Sequence, residues 1–300
     1  MTDFRIVQVS DIHLSRKRAY FLDNWDVFVE QMRADPPDRI YVTGDLCVNG
    51  PNEPDDIVFA REQLDRLPVP WKALPGTHDS GELPPDTRLG KPLTAERREF
   101  WLEHFGPDYW FEDVGDWCFV GLNAQLIGSG LDEERAQWLF LESVAEGRAD
   151  PRRSGRALGL FLHKPLYLRR PDETDQQLSA LPPEGRARLL AFCAQHKVRF
   201  VASGHLHCYR SMRHGGLRLI WAPGTSFISS VKAMPAPKAL RRAGYVEYRF
   251  TGKRFTARLV EPPLFVSHDF RNWFLDQGST VHLPPRPLRA GEGGWGEGGT

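Results

Sequence analysis

The order of hydrophobic patterns along the chain predicts an α/β protein. Short apolar runs of strand length alternate with stretches of helical period, and polar turns separate the two. That order describes a largely parallel sheet with helices on both faces. The 300 residues, 41% of them hydrophobic, suffice for one large domain or two small ones with a substantial core. The third observation is chemical: strand-like runs repeatedly stop on Asp or His, where open α/β sheets gather their functional groups.

The first run, Val7-Gln8-Val9-Ser10, ends in Asp11-Ile12-His13. Alternating side-chain direction would set Asp11 and His13 on one side of the chain just past the strand. Tyr20 to Ala34 reads as a helix, with Phe21, Trp25, Phe28, Val29 and Met32 on one face and Pro36-Pro37 after it. A strand over Arg39 to Thr43 runs into Gly44-Asp45. A helix from Pro54 to Leu67 follows, burying Ile57, Ala60, Leu64 and Leu67. The strand Trp71 to Leu74 leads to Pro75-Gly76-Thr77-His78-Asp79. Pro84 to Pro92 reads as a loop near these groups, and Ala95 to Phe105 as a helix. Asp108 to Asp113 and Trp117 to Asn123 form a hairpin about a Gly-Asp turn. A helix from Asp132 to Glu146, capped by Asp132, precedes the apolar run Ala157 to Leu162, which stops at His163-Lys164-Pro165. A helix over Pro183 to His196 leads to a strand over Val198 to Ala202 and then to Ser203-Gly204-His205-Leu206-His207. From Leu217 to Leu259 short strands with hairpin breaks suggest a second sheet. A boundary at residue 262 separates this domain, 1–262, from a Pro-rich arm over 263–300 that runs into a flexible Gly-rich tail. No internal repeat is present.

Composition narrows the class. Thirty-nine basic residues balance thirty-nine acidic ones, so bulk charge gives no reason for nucleic acid or an anionic membrane as obligate partner. Cys47, Cys118, Cys193 and Cys208 are scattered without a Cys-x-x-Cys pair, which suits a reducing cytosol; Cys208, although beside two histidines, reads as structural. The opening residues lack a charged-then-apolar leader and no apolar run approaches ~18 residues. The expectation is a cytoplasmic protein with no membrane partner.

Half of the ten histidines stand at strand ends, together with Asp11, Asp45 and Asp79. His104, His196, His214, His268 and His282 lie elsewhere and read as surface or satisfied residues. Imidazoles and carboxylates without thiolates suit Mn, Fe or Zn better than Mg or Ca. More ligands than one tetrahedral site needs imply two ions, and Asp45, alone on its Gly-Asp turn, is suited to bridge them.

Asp11-Ile12-His13, Gly44-Asp45, Gly76-Thr77-His78-Asp79, His163 and Gly204-His205-Leu206-His207 resemble, in order and spacing, the five motif blocks of the calcineurin-like metallophosphoesterases. The blocks span most of the folded chain. Ser10 to Leu14 and Leu162 to Leu166 are most similar to bacterial cyclic-nucleotide-phosphodiesterase-like members. The resemblance implies a four-layer α/β/β/α sandwich with two central mixed sheets. It implies hydrolysis of phosphodiesters or phosphomonoesters, the diesters favoured, by water activated at two divalent or mixed-valence transition-metal ions. Asp11, His13 and His207 would hold the first ion, Asp45 would bridge, and His163 and His205 would hold the second. His78 would assist the leaving group, and Asp79 would orient its ring.

Thr77 departs from that pattern, which normally has an Asn whose carbonyl binds the second ion. Three readings stay open: a second ion held more weakly, replacement of the ligand by a group such as Asn49 or Asn123, or a one-metal or inactive relative. The substrate is expected to be a small phosphoester, nucleotides included; the oligomeric state is not indicated. Arg16, Lys17, Arg18, Lys164, Arg169 and Arg170 are candidates for phosphate contact, although solvated surface is the simpler reading of each. The aromatic residues from Trp101 to Trp110 read as packing under a helix. The competing class is a non-catalytic binding protein on the same scaffold, docking partners through its Pro-rich arm.

Overall fold

The computed structural model describes residues 3–83, 91–147, 153, 155–174, 179–229 and 236–269. Strand β1 (Asp3–Val9) begins a run of parallel crossovers through helix α1 (Leu22–Ala34), β2 (Arg39–Thr43), α2 (Pro54–Leu64) and β3 (Trp71–Leu74). One short turn, α3 (Thr77–Ser80), and helix α4 (Ala95–Phe105) lead to the antiparallel pair β4 (Trp110–Val114) and β5 (Trp117–Leu122). A second run of parallel crossovers passes from β5 through α5 (Asp132–Glu146), β6 (Ala157–Leu162) and α6 (Pro183–Gln195) to β7 (Phe200–Ser203). Then come β8 (Arg210–His214), β9 (Leu217–Trp221), β10 (Phe227–Ile228), β11 (Tyr245–Thr251), β12 (Arg254–Val260) and β13 (His268–Asp269).

These strands make two mixed sheets, ordered β12-β11-β1-β2-β3 and β4-β5-β6-β7-β9-β8, and a small pair β10-β13. One sheet with helices on both faces is therefore not what forms. Each sheet carries helices on one face and packs its other face on its partner, the four-layer α/β/β/α arrangement. Nor is the stretch from Leu217 to Leu259 a sheet of its own. β9 adds to the second sheet, while β11 returns to pair antiparallel with β1 and β12 pairs with β11.

Side-chain period explains the layering. In β5, Cys118, Val120 and Leu122 face α5 and α6, whereas Trp117 and Phe119 face the other sheet. In β1, Val7 and Val9 meet Trp25, Phe28, Val29 and Met32 of α1, while Phe4 and Ile6 enter the inter-sheet layer. That central layer is largely aromatic: Phe119 lies within 5.2–6.4 Å, centroid to centroid, of Phe4, Tyr41, Trp117, Phe161, Phe200 and Phe250. Such rings add directional edge-to-face contact to their apolar burial. Near the carboxyl end of β1 the layer turns polar, where Gln8 donates to Thr43 Oγ1 (2.9 Å) and the Ser203 carbonyl (3.3 Å) and accepts from Tyr248 (2.7 Å). One amide thus ties the two sheets together beneath their strand ends.

Helix limits follow the sequence within a few residues, with one correction of cause. Asp132 is the first residue of α5 and not its cap; Leu131 holds the cap position without a side-chain bond. Glu134 reaches back instead to the amides of Gly128 (2.7 Å) and Gly130 (3.0 Å). Residues 84–90 of the expected loop lie outside the described residues, as do 270–300 of the arm. The described start of the arm packs on α1, where Val266 N donates to Asn24 Oδ1 at 2.9 Å.

Because Phe119 anchors the layer between the sheets, Phe119→Ala should lower unfolding free energy by about 3–5 kcal/mol in urea titration. A loss below about 1 kcal/mol, the scale of an ordinary surface change, would contradict this packing.

Candidate metal centre

The carboxyl ends of five parallel strands, β1, β2 and β3 from one sheet and β6 and β7 from the other, meet at one place. Asp11, His13 and His207 bring ligand atoms within 4.8 Å of one another, and so do Asp45, His163 and His205. A third group with the same spacing, His13, Asp45 and His78, joins the two. Asp45 lies at the junction, with Oδ2 3.8 Å from His13 Nε2 and Oδ1 3.4 Å from His163 Nε2.

Strand alternation is not what aims these side chains. Among the described residues seven non-glycine residues have positive φ, and five of them are Asp11 (53°), His13 (46°), Asp45 (52°), His205 (68°) and His207 (49°). Left-handed backbone at a residue with a Cβ is disfavoured and collects at functional sites. Here each kink turns a ligand out of its strand direction, and cross-links hold the kinks. Asp11 N donates to Gly44 O and His13 N to Asp45 O, both at 3.0 Å, and His205 N donates to the Asp11 carboxylate at 3.0 and 3.2 Å. Gly44 has to be glycine on two counts: its φ is +87°, and a Cβ there would stand 2.4 Å from His163 Nδ1.

The ring nitrogens fit a cation. His163 Nδ1 lies 2.8 Å from the Thr43 carbonyl and His207 Nδ1 2.8 Å from that of Phe227, so each donates there and turns Nε2 towards the centre. His13 Nε2 and His207 Nε2 are 3.3 Å apart, and His163 Nε2 and His205 Nδ1 3.1 Å. Nitrogens facing at that distance share either a proton or a cation between them. Burial holds His13 and His205 well below the usual imidazole range, and His207 below it, which keeps them as neutral donors. His163 differs. Burial opposes its charge too, but the Asp45 carboxylate outweighs that and lifts it to about 9. Asp45 itself is kept well below the usual carboxylate range, because His163 and its neighbours overcome the effect of burial. No thiolate joins the set, since Cys47 donates to the His78 carbonyl (3.0 Å) and the Asp79 carboxylate (3.2 Å). Imidazole and carboxylate donors in this number suit transition metals.

Two expected roles change. Asp79 does not orient the His78 ring: its carboxylate accepts from the amides of Leu46, Cys47 and Gly76 at 2.8–3.1 Å, fixing the loop that carries Asp45. His78 is set instead by the Val48 carbonyl, 2.6 Å from Nδ1, and stands edge-on to His13 at 4.8 Å. Burial and the charge of Asp45 raise Asp79 to about 6. Thr77 is buried with Oγ1 3.4 and 3.5 Å from the two Asp45 oxygens. The side-chain oxygens of Asn49 and Asn123 are used elsewhere, accepting from Asn52 Nδ2 (3.4 Å) and Gln125 N (2.9 Å).

The basic candidates other than Arg169, which is exposed, are engaged elsewhere. Arg16 pairs with Asp55 and Glu62, Lys17 with Glu53, and Arg18 with Glu53 and Asp56. Lys164 forms a buried pair with Glu82 at 2.9 Å, and Arg170 a surface pair with Asp172. Trp101 is fully buried on the inner face of α4, and Cys208 lies in a small apolar cluster. What sequence reading missed are backbone contributors: the carbonyls of Thr43, Val48 and Phe227, and the segment Gly224-Thr225-Ser226-Phe227. The Phe227 ring stacks on His207 at 4.0 Å and lies 5.0 Å from His13. A Pro-Gly-Thr-Ser turn directly after a strand was the available signal.

The sequence profile of the calcineurin-like phosphoesterases matches residues 4–209. The chain belongs to this family. A protein of Arcobacter nitrofigilis named as a probable glycerophosphodiester phosphodiesterase, GpdQ, is 26% identical over 298 residues, covering 92% of this chain and 91% of that one. The human serine/threonine-protein phosphatase CPPED1 is 29% identical over 187 residues, 58% of this chain and 55% of its own. A probable cyclic nucleotide phosphodiesterase of Xenorhabdus bovienii is 23% identical, covering 74% of this chain and 86% of its own. The fold is shared with a purple acid phosphatase from yellow lupin, with a TM-score of 0.62 at 16% identity over 90% of this chain and 55% of that one.

Metal titration tests the centre. Saturation should approach two Mn, Fe or Zn ions per chain, and Thr77→Asn should tighten the weaker one; a limit of one ion in both proteins would contradict this. Because His163 holds a proton up to about 9, an ion on the Asp45–His163–His205 side must displace it. Affinity there should rise by up to about tenfold per pH unit between pH 6 and 9, with proton release on binding; a pH-independent affinity would contradict the assignment.

Proposed function

We propose that this phosphoesterase is a dinuclear hydrolase of small phosphodiesters, with nucleotides among the candidate substrates. The observation that carries the reading is the pair of donor groups Asp11–His13–His207 and Asp45–His163–His205, joined by Asp45 lying 3.8 Å from His13. Asp11, His13 and His207 would hold one ion, His163 and His205 the other, and Asp45 would contact both. When bound, such ions polarise phosphoryl oxygens and make a water acidic enough to attack at neutral pH. The chain's own groups supply the rest. Burial keeps His13, His205 and His207 neutral, the carbonyls of Thr43 and Phe227 orient the rings of His163 and His207, and Asp79 holds the Asp45 loop in place. His78, fixed by the Val48 carbonyl and only half-buried, stands beside His13 at the rim, where it can give a proton to the departing oxygen or stabilise its charge.

Likeness over nearly the whole length to a diesterase supports diesters over monoesters. Transition metals follow from the donor set, with Mn, Fe and Zn all compatible. No helix among the described residues is long and apolar enough to cross a membrane. The four cysteines are free and buried, in keeping with a cytoplasmic setting. Thr77 favours one second reading, a one-metal relative that binds ligands without turnover.

Mn-dependent release of nitrophenol from bis-p-nitrophenyl phosphate should exceed that from p-nitrophenyl phosphate and vanish in Asp45→Asn. No release from either compound would favour the binding protein. His78→Ala should lower kcat by about 10²- to 10⁴-fold with metal content unchanged. Unchanged kcat on a diester with a poor leaving group would remove His78 from the mechanism.

A further inference from the structure

Helix α1 buries an apolar face against the first sheet, yet it also buries one amide, Asn24, which is 1% exposed. A buried amide is costly unless its groups are bonded. Those of Asn24 are used on backbone far away in sequence. Nδ2 donates to the carbonyls of Thr225 (2.8 Å) and Val266 (2.9 Å), and Oδ1 accepts from Val266 N (2.9 Å). One side chain therefore joins the segment after β9 to the start of the C-terminal arm, and the pairing of β10 with β13 continues that junction.

The segment Asn24 holds is the one that grips the first donor group. Thr225 N donates to Ser10 O at 3.1 Å, and Ser226 donates to Asp11 O through both its amide (3.3 Å) and its hydroxyl (2.6 Å). The Phe227 carbonyl accepts from His207 Nδ1, and its ring covers His207 and His13. Gly224 lies so close that a Cβ there would stand 2.5 Å from His207 Nδ1. The other donor group is braced differently, His163 by the Thr43 carbonyl and His205 N by the Asp11 side chain. Asn24 thus reaches Asp11 and His207 through backbone carbonyls and His13 through the Phe227 ring, whereas His163 is braced by Thr43, and His205 by the Asp11 carboxylate, which the segment itself does not touch.

We propose that Asn24 is a positioning residue for the Asp11–His13–His207 group, acting through Thr225, Ser226 and Phe227 to set the His207 ring and the Asp11 backbone. The proposal rests on the reading of the centre as dinuclear. It predicts a selective effect: loss of the Asn24 bonds loosens one ion and spares the other. Removing groups that orient metal ligands typically weakens affinity by roughly 10–100-fold.

The test is Mn²⁺ titration of the metal-free full-length chain, followed by calorimetry and electron paramagnetic resonance. Asn24→Ala should weaken one of two binding events by roughly 10–100-fold and leave the other within about twofold. Asn24→Leu keeps the volume, adds no buried charge and loses the same donated bonds, so it should show the same selective loss without the cavity that alanine leaves. In a His207→Ala background, where that event is already impaired, Asn24→Leu should add little, whereas in a His163→Ala background its full effect should persist. Equal weakening of both events, or no change in either, would overturn the proposal while leaving two-ion binding intact. Wild-type protein that takes up no Mn²⁺ would overturn the reading of the centre itself, and the proposal with it.

Discussion

The Asp45 carboxylate is the contact on which the arrangement depends. It is buried at the seam of two sheets, accepts from His78 N at 2.8 Å, and lies 3.4 Å from His163 of the opposite sheet. A second buried carboxylate, Asp11, reaches across the same seam to His205 N and His207. Buried charges persist in folded proteins when they are paired or hold cations. Each sheet therefore contributes groups that are satisfied in part by the other. The aromatic layer presses the sheets together, and Gln8 marks where that layer gives way to polar chemistry.

Backbone strain belongs to the same account. Left-handed residues cost of order 1–3 kcal/mol each and persist only where their surroundings over-determine them. At the centre five such residues are locked by amide-to-carbonyl bonds between neighbouring strand-end loops and by carboxylates that accept from backbone amides. The loops gain their rigidity from one another, which explains why Asp79 serves the Asp45 loop and why a distant amide on α1 can matter to His207. Ion binding would add to folding stability, because the donor set is assembled only in the folded chain.

Much of this was legible in sequence because the ligand types are chemically rare at the places where they occur. An Asp or His directly after an apolar run stands out against a background of Gly, Ser and Pro, and five such places share one crevice once the strands are parallel. Helix faces were legible for the same kind of reason, as with Trp25, Phe28, Val29 and Met32. The remainder depends on atoms that every residue possesses. Left-handed turns at Asp11 and His13, the carbonyls of Val48 and Phe227, and the return of β11 to pair with β1 leave little mark on residue type. Asp79 shows the limit well: its place beside His78 suggested a partner for the ring, but the tight turn at Gly76 points its carboxylate back into the Asp45 loop.

Electron paramagnetic resonance of the Mn²⁺-loaded chain tests most directly whether Asp45 joins two ions. The account predicts a spin-coupled spectrum from the wild type that reverts to uncoupled Mn²⁺ signals in Asp45→Asn. An uncoupled spectrum from fully loaded wild-type protein would contradict it.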